Sequence, residues 1–160
     1  MITRPPPRSK PAVMACAIAA IVACQEHEFH PPDRAERAIE AESSFDFAQF
    51  DTIAWADGDS ARMFFGNEVY ARKCRACHGF MGAGDTDYGR ARGVAPPSLV
   101  RPAWPIGDSV PLLRRRVFAG HPAGMPTFGL GGLTPREVDA VAFYIAYFLR
   151  PDVLQPNRQR

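Results

Sequence analysis

The feature that most constrains this chain is the sequence Cys-Arg-Ala-Cys-His at residues 74–78. One helical turn can present both sulfurs on the same side, with the imidazole directly after them. Three chemistries use such a cluster: a thioredoxin-like dithiol, half of a zinc site, or covalent attachment of haem. The dithiol normally accompanies a βαβ unit, which has no counterpart in this sequence. A structural zinc site normally takes four ligands.

The cysteine count favours the third chemistry. Cys16 lies inside an N-terminal apolar run and Cys24 ends it, so Cys74 and Cys77 are the cysteines left for the domain, and His121 stands apart. Haem attachment uses everything in the motif, because each sulfur bonds one vinyl group and the histidine lies under the iron. The sequence therefore predicts one covalently attached haem c, held by Cys74 and Cys77, with His78 as an iron ligand.

A second iron ligand is expected from the segment "GMPTF", where Met125 lies between Gly124 and Pro126. A thioether favours ferrous iron, and a stiff Gly–Pro turn can direct it inward. The metal ligands are thus predicted to be His78 and Met125. His121 is the alternative distal ligand, and Met63 and Met81 are weaker candidates.

The first 23 residues have the pattern of a signal peptide, in which Arg4, Arg8 and Lys10 precede the apolar run "PAVMACAIAAIVA". The alternative is a retained membrane anchor, although the run is short for a bilayer. Its end, "IVAC", resembles the lipobox of bacterial lipoproteins, which makes Cys24 the predicted lipid anchor. The expected location is extracytoplasmic, on the periplasmic side, with acylated Cys24 in the membrane. Ordinary cleavage nearby and a freely soluble product is the other possibility.

Acidic and basic residues are distributed unevenly over the rest of the chain. Residues 25–59 contain ten acidic and two basic residues, whereas residues 60–160 contain seven acidic and fourteen basic ones. We expect an acidic tether over 24–58, a basic domain over 59–150 and a short tail over 151–160. The tether contains four aromatic residues that either pack on the domain or form a docking segment, namely Phe45, Phe47, Phe50 and Trp55.

The domain is predicted to be all-α with long Gly/Pro-rich loops. A helix capped by Asp59 or Ser60 should run to Cys74, an irregular segment should cover 82–107, and a second helix should end at Gly120. The last helix carries the clearest signal, with Thr134, Pro135 and Glu137 forming its start and Pro151 stopping it. Its expected buried stripe is Val138, Val141, Ala142, Ile145 and Phe148.

Over residues 59–150 the chain resembles class I c-type cytochromes. The matching segments are "GNEVYARKCRACHG", "PPSL", "VFAGHPAGMPTF" and "LTPREVDAVAFYIAYF", in the family's order. The resemblance implies helices wrapped around one haem, with Gly66 against Tyr144 where the opening and closing helices cross. It also implies that Pro97 and Leu99 lie on the proximal side, and that the carbonyl of Pro97 holds the Nδ1 proton of His78.

The function expected from these features is single-electron transfer between extracytoplasmic redox partners by a membrane-tethered, monohaem protein. Two permanent iron ligands leave no site for a small-molecule substrate, so no enzymatic activity is expected. The alternatives are a dedicated subunit of a larger oxidoreductase, respiratory or photosynthetic complex, and a haem-based gas or redox sensor in which Met125 is labile.

The basic residues suggest protein partners with acidic docking surfaces, and secretion excludes nucleic acid. The candidate docking cations are Arg90, Arg92, Arg101, Arg114, Arg115 and Arg116. They can equally form a solvated face, or be screened by the acidic tether folding back on the domain.

Overall fold

The computed structural model describes residues 33–101 and 109–150, which form helices and loops with no β-strand in these ranges. The six α-helices of these ranges, in chain order, are α1 (Arg34–Ser44), α2 (Gly58–Lys73), α3 (Arg75–His78), α4 (Asp87–Ala91), α5 (Val110–Ala119) and α6 (Pro135–Tyr144). Two 3₁₀ turns lie at Phe47–Phe50 and Phe128–Leu130, and α6 continues as a π-helical turn over Ile145–Leu149. The expectation of an all-α domain is confirmed.

Helices α2 and α6 cross at Gly66, as the resemblance implied. A Cβ atom on Gly66 would lie 2.7 Å from the Cβ of Tyr144 and would also collide with the carbonyl of Ala140. Only a residue without a side chain permits this approach of two backbones. The rings of Tyr70 and Tyr144 meet beside the crossing, with centroids 5.4 Å apart. The crossing fixes the direction in which α2 delivers the Cys74–His78 segment.

The start of α6 has the predicted capping box. The side chain of Thr134 accepts from the amide of Glu137, and the Glu137 carboxylate accepts from the amide of Thr134 at 2.9 Å. These two bonds satisfy N–H groups that the first helical turn leaves without partners. They also lower the pKa of Glu137, mainly through the backbone bond to Thr134.

The end of α6 differs from the expected helical register. Val138, Val141, Ala142 and Ile145 are buried as predicted, but Phe148 is 51% exposed and Leu149 is buried in its place. The cause is the π-helical turn over Ile145–Leu149, which inserts an extra residue per turn and shifts the buried face by one position.

The start of α2 and the segment 82–107 also differ in detail from the sequence predictions. Helix α2 begins at Gly58, and Asp57 precedes it without a side-chain capping bond, so neither Asp59 nor Ser60 is the cap. The segment includes the short helix α4, capped by Thr86. Residues 102–108 lie outside the described ranges.

The structure describes residues 33–58 of the predicted acidic tether, and α1 and the 3₁₀ turn that follows it pack on the domain. Ala38 and Ala41 of α1 are buried against α5, and the rings of Phe45 and Phe118 meet with centroids 5.4 Å apart. Phe50 is buried as well, whereas Phe47 is 46% exposed. The sequence favoured a tether here because acidic residues dominate the segment, but its apolar residues recur on one face and cover α5.

Asp139 of α6 ties this N-terminal layer to the helices beneath it. Its carboxylate is 1% exposed and accepts bonds from the indole of Trp55 at 2.8 Å, from Arg62 at 2.6 Å and from Nε of Arg114 at 2.8 Å. The Arg62 guanidinium also stacks on the ring of Phe143, 4.1 Å from its centroid. One buried anion thus holds the N-terminal segment, α2 and α5 to α6.

No helix within the described ranges has the length and hydropathy required to cross a membrane.

Asp139→Asn should lower the free energy of unfolding by about 3–5 kcal/mol, because it leaves two largely buried guanidinium groups without their anion. The measurement is urea-induced unfolding of the purified protein. Glu42→Gln is the matched control, since it breaks the half-exposed ion pair with Arg115 and should cost about 1 kcal/mol or less. Equal losses for the two variants would show that Asp139 is not the anchor of the N-terminal layer.

Candidate functional site

The cysteine–histidine motif lies where α2 ends and the single turn α3 begins. Cys74 follows Lys73, and the amides of Cys77 and His78 both donate to the carbonyl of Cys74, at 3.2 and 2.9 Å. Both thiols are free of disulfide bonds. The junction of α2 and α3 therefore places two unpaired sulfurs and one imidazole within five consecutive residues.

The protonation of Cys74 argues against a redox dithiol. Burial raises the pKa of this thiol to about 12, with a smaller contribution from Cys77. Catalytic dithiols work through a thiolate whose pKa is lowered by a positive environment. A thiol that stays protonated at neutral pH is unsuited to that exchange chemistry.

Hydrogen bonds from two hydroxyl groups hold the motif in place. The hydroxyl of Tyr70 donates to the carbonyl of Gly79 at 2.7 Å, directly after the histidine. The hydroxyl of Thr86 donates to the carbonyl of Cys77 at 3.1 Å and caps α4 through the amide of Gly89. Helix α2 and helix α4 thus each fix one side of the turn.

A loop over residues 96–101, which we call the proximal loop, lies against the segment that follows the histidine. The amide of Leu99 donates to the carbonyl of Gly82 at 2.7 Å. Gly84 has a φ of +83°, and a Cβ on it would lie 2.5 Å from the carbonyl oxygen of Pro96 and 3.1 Å from that of Pro97. Glycine is required here both for the backbone angle and for the close approach.

The imidazole of His78 is oriented by this loop. Its Nδ1 is completely buried and has no hydrogen-bond partner of normal geometry, although the ring as a whole is only half-buried. Burial lowers the pKa of His78, and the nearby carbonyl of Pro97 partly offsets this by raising it. The carbonyl of Pro97 is thus near the imidazole, while Nδ1 itself has no hydrogen-bond partner. With Nδ1 facing the protein, Nε2 is the nitrogen available for a ligand.

Met125 lies on a separate loop between α5 and the second 3₁₀ turn. The amide of His121 donates to the carbonyl of Met125 at 3.0 Å, and the amide of Met125 donates back to the carbonyl of His121 at 3.1 Å. Gly120 has a φ of +70°, and a Cβ on it would lie 2.6 Å from the carbonyl oxygen of Met125. The side chain of Met125 is half-buried and packs against the core.

His121 is exposed, and its Nδ1 accepts a bond from the amide of Ala123 at 3.1 Å. This bond gives the ring a local role in the turn that carries Met125.

The structure brings five of the predicted site residues into one neighbourhood: Cys74, Cys77, His78, Pro97 and Leu99. Met125 lies on a different loop, between α5 and the second 3₁₀ turn. The binding of iron by His78 and by Met125 remains a prediction. Cys24 lies outside the described residues. Sequence analysis missed Gly84 and Gly120, whose positive φ angles mark them only once the backbone is known. It also missed Arg150 and Asp139, because nothing in the sequence distinguishes them from charged residues on the exposed face of a helix.

The donor set fits the group that the motif implies. A porphyrin attached by two thioether bonds needs two free thiols one turn apart and an imidazole with Nε2 available, and these are present. A histidine bound to metal normally donates its other N–H to a carbonyl or similar acceptor, and Nδ1 of His78 is buried with the carbonyl of Pro97 near the ring.

A helical domain that presents this motif, with a carbonyl-bearing loop behind the histidine, is a c-type cytochrome. The family model described as cytochrome C oxidase, cbb3-type, subunit III matches residues 65–145, just over half of the chain, and the chain belongs to this family. It therefore carries covalently bound haem c and acts in electron transfer, and cytochrome c domains of this type are extracytoplasmic. No curated protein and no solved structure shows a significant match to the chain.

Gly84→Ala should displace the proximal loop, because its new Cβ collides with the backbone of Pro96 and Pro97. Gly93→Ala is the matched control, since Gly93 also has a positive φ, of +62°, but has open space around its Cβ position. Both variants should lose about 1–3 kcal/mol of stability to backbone strain, and Gly84→Ala about 1–3 kcal/mol more from overpacking. Denaturant unfolding of the haem-loaded proteins measures the difference, and equal losses would contradict the close packing of the loop.

Proposed function

We propose that this protein is a monohaem electron carrier with His78 and Met125 as iron ligands, working between extracytoplasmic redox proteins. The observation that carries the proposal is the buried Nδ1 of His78, in a motif with two free thiols and with the carbonyl of Pro97 near the ring. The haem supplies the one-electron couple between ferric and ferrous iron. The chain's own residues supply attachment, orientation and the exclusion of water.

Each residue has one role in this proposal. Cys74 and Cys77 fix the ring covalently, and His78 binds through Nε2 because Nδ1 is directed to the proximal loop. Leu99 is 3% exposed and covers the proximal side with an apolar group. Met125 approaches from its own loop, which Gly120 holds close to the end of α5. Two protein ligands leave no vacant position, which is why we assign electron transfer and no substrate chemistry.

Two features support Met125 over His121 as the second ligand. The thioether side chain is half-buried against the core, whereas His121 is exposed and uses Nδ1 in its own turn.

Met125→Ala should abolish the methionine-to-iron charge-transfer band in the optical spectrum of the ferric protein. His121→Ala is the control and should leave that band intact. A band that survives in Met125→Ala, or disappears in His121→Ala, would refute the assignment of Met125.

Five of the six arginines named in the sequence analysis as candidate docking residues contact other groups of this chain, and the sixth, Arg101, is exposed. Arg114 pairs with Asp139, Arg115 with Glu42, and Arg116 donates to the carbonyl of Gly120. The pairing of Arg115 with Glu42 corresponds to the predicted screening of the domain by the acidic segment. Arg90 pairs with Asp85 and Asp87, and Arg92 stacks on Tyr88.

The exposed cations next to the attachment motif are better placed for docking. Lys73 and Arg75 flank Cys74 and are exposed, with Phe80 72% and Met81 54% exposed close by in sequence. We assign the partner surface to this region, because charges there steer encounter while the apolar residues exclude water from the contact.

We propose further that the chain is a lipoprotein tethered through Cys24, supported by the apolar run that ends at this cysteine. A second candidate function is a dedicated subunit of a larger complex, favoured by the family description, which names a subunit of an oxidase.

Cell fractionation tests the lipid anchor at Cys24, and detergent extraction tests whether the protein is a subunit of a larger complex. Cys24→Ser should move the protein from the membrane to the soluble extracytoplasmic fraction, because multiple acyl chains are needed for stable anchoring. Cys16→Ser is the control and should leave it in the membrane. An unchanged membrane fraction for Cys24→Ser contradicts the lipid anchor, and wild-type protein extracted in fixed ratio with other chains supports the subunit over the carrier.

A further inference from the structure

Arg150 is a buried charged residue for which the mechanism above has no use. It follows the π-helical turn at the end of α6, and 1% of its surface is exposed. Burial of a guanidinium is costly unless the group is well hydrogen-bonded, so such a position calls for a reason. Arg150 also lies beyond the 65–145 segment that the family model matches.

The guanidinium of Arg150 is bonded to the proximal loop. Its Nη1 donates to the carbonyl of Leu99 and, at 3.4 Å, to the carbonyl of Arg101. The opposite side of Leu99 is fixed by its amide, which donates to the carbonyl of Gly82. Leu99 is therefore held from both sides, by α6 and by the segment following His78.

We propose that Arg150 is a positioning residue that fixes the proximal loop so that the carbonyl of Pro97 stays directed at Nδ1 of His78. This inference rests on the proposed function, since it takes His78 as the iron ligand. Pro97 is two residues before Leu99, so release of the Leu99 carbonyl also loosens the position of the Pro97 carbonyl. In this proposal Arg150 acts on His78 through its bonds to the loop.

A hydrogen bond from Nδ1 of His78 to the carbonyl of Pro97, which we expect in the haem-loaded protein, matters for the redox function. It fixes the ring orientation and raises the basicity of the ligating Nε2. A more basic imidazole stabilises ferric iron relative to ferrous iron, which lowers the reduction potential. Weakening this bond should therefore raise the potential.

The test compares Arg150→Lys and Arg150→Met in the haem-loaded, full-length protein. Lysine keeps the charge, but its side chain is one bond shorter than the path to Nη1 of arginine, so its ammonium stops short of the Leu99 and Arg101 carbonyls. Methionine removes the charge and the bonds together. The measurements are hydrogen–deuterium exchange of the His78 ring N–H by NMR and the midpoint potential by redox titration. We expect the N–H to exchange about tenfold faster in both variants, the factor corresponding to one lost hydrogen bond, and the potential of Arg150→Lys to rise.

Arg62→Lys is the matched control. It alters another largely buried arginine, whose hydrogen bond goes to Asp139 and not to the loop. It should lower the unfolding temperature and leave both the N–H exchange and the potential at their wild-type values.

Two outcomes overturn the proposal. Wild-type exchange and potential in Arg150→Lys, together with a lower unfolding temperature, would make Arg150 a purely structural residue. A potential that changes only in Arg150→Met would indicate an effect of charge without positioning. If the methionine variant does not mature, the lysine variant alone decides. Failure of the proposed function is seen separately, as a wild-type spectrum without the His–Met signature.

Discussion

The close contact between α2 and α6 is the constraint on which the rest of the structure depends. Gly66 lets the two backbones meet, and the rings of Tyr70 and Tyr144 pack beside the contact. Eight residues after Gly66, α2 ends at Cys74. The position of the attachment motif is therefore set by a helix that is itself fixed against the closing helix, and not by the loops around it.

Loops complete the site from this fixed base, and each is held by a glycine with an unusual backbone angle. Gly84 lets the proximal loop approach the segment after His78, and Gly120 lets the Met125 loop approach the end of α5. These two close approaches fix the backbone of the loops that carry Pro97 and Met125. Hydrogen bonds from Tyr70, Thr86 and Arg150 to main-chain carbonyls restrain the same segments. Such restraint suits a redox site, because small geometric changes between oxidation states allow fast electron transfer.

The N-terminal segment has a structural role that its composition conceals. Its acidic residues suggest a solvated tether, yet α1 packs on α5 and Trp55 donates to the buried carboxylate of Asp139. The same packing engages Arg114 and Arg115 in internal ion pairs. A count of charged residues in the sequence therefore does not show which of them already pair within the protein.

The sequence by itself determined the cofactor chemistry, the all-α class, the end of α5 and the start of α6, because these depend on local signals: a five-residue motif, helical periodicity and capping residues. It also predicted the contact of Gly66 with Tyr144, through a family resemblance. Only the tertiary structure decided that Asp139 and Arg150 are buried, that α1 belongs to the domain, and that Leu149 replaces Phe148 in the core. Those outcomes depend on contacts between residues far apart in the chain, and on one π-helical turn, for which no neighbouring residues give a signal.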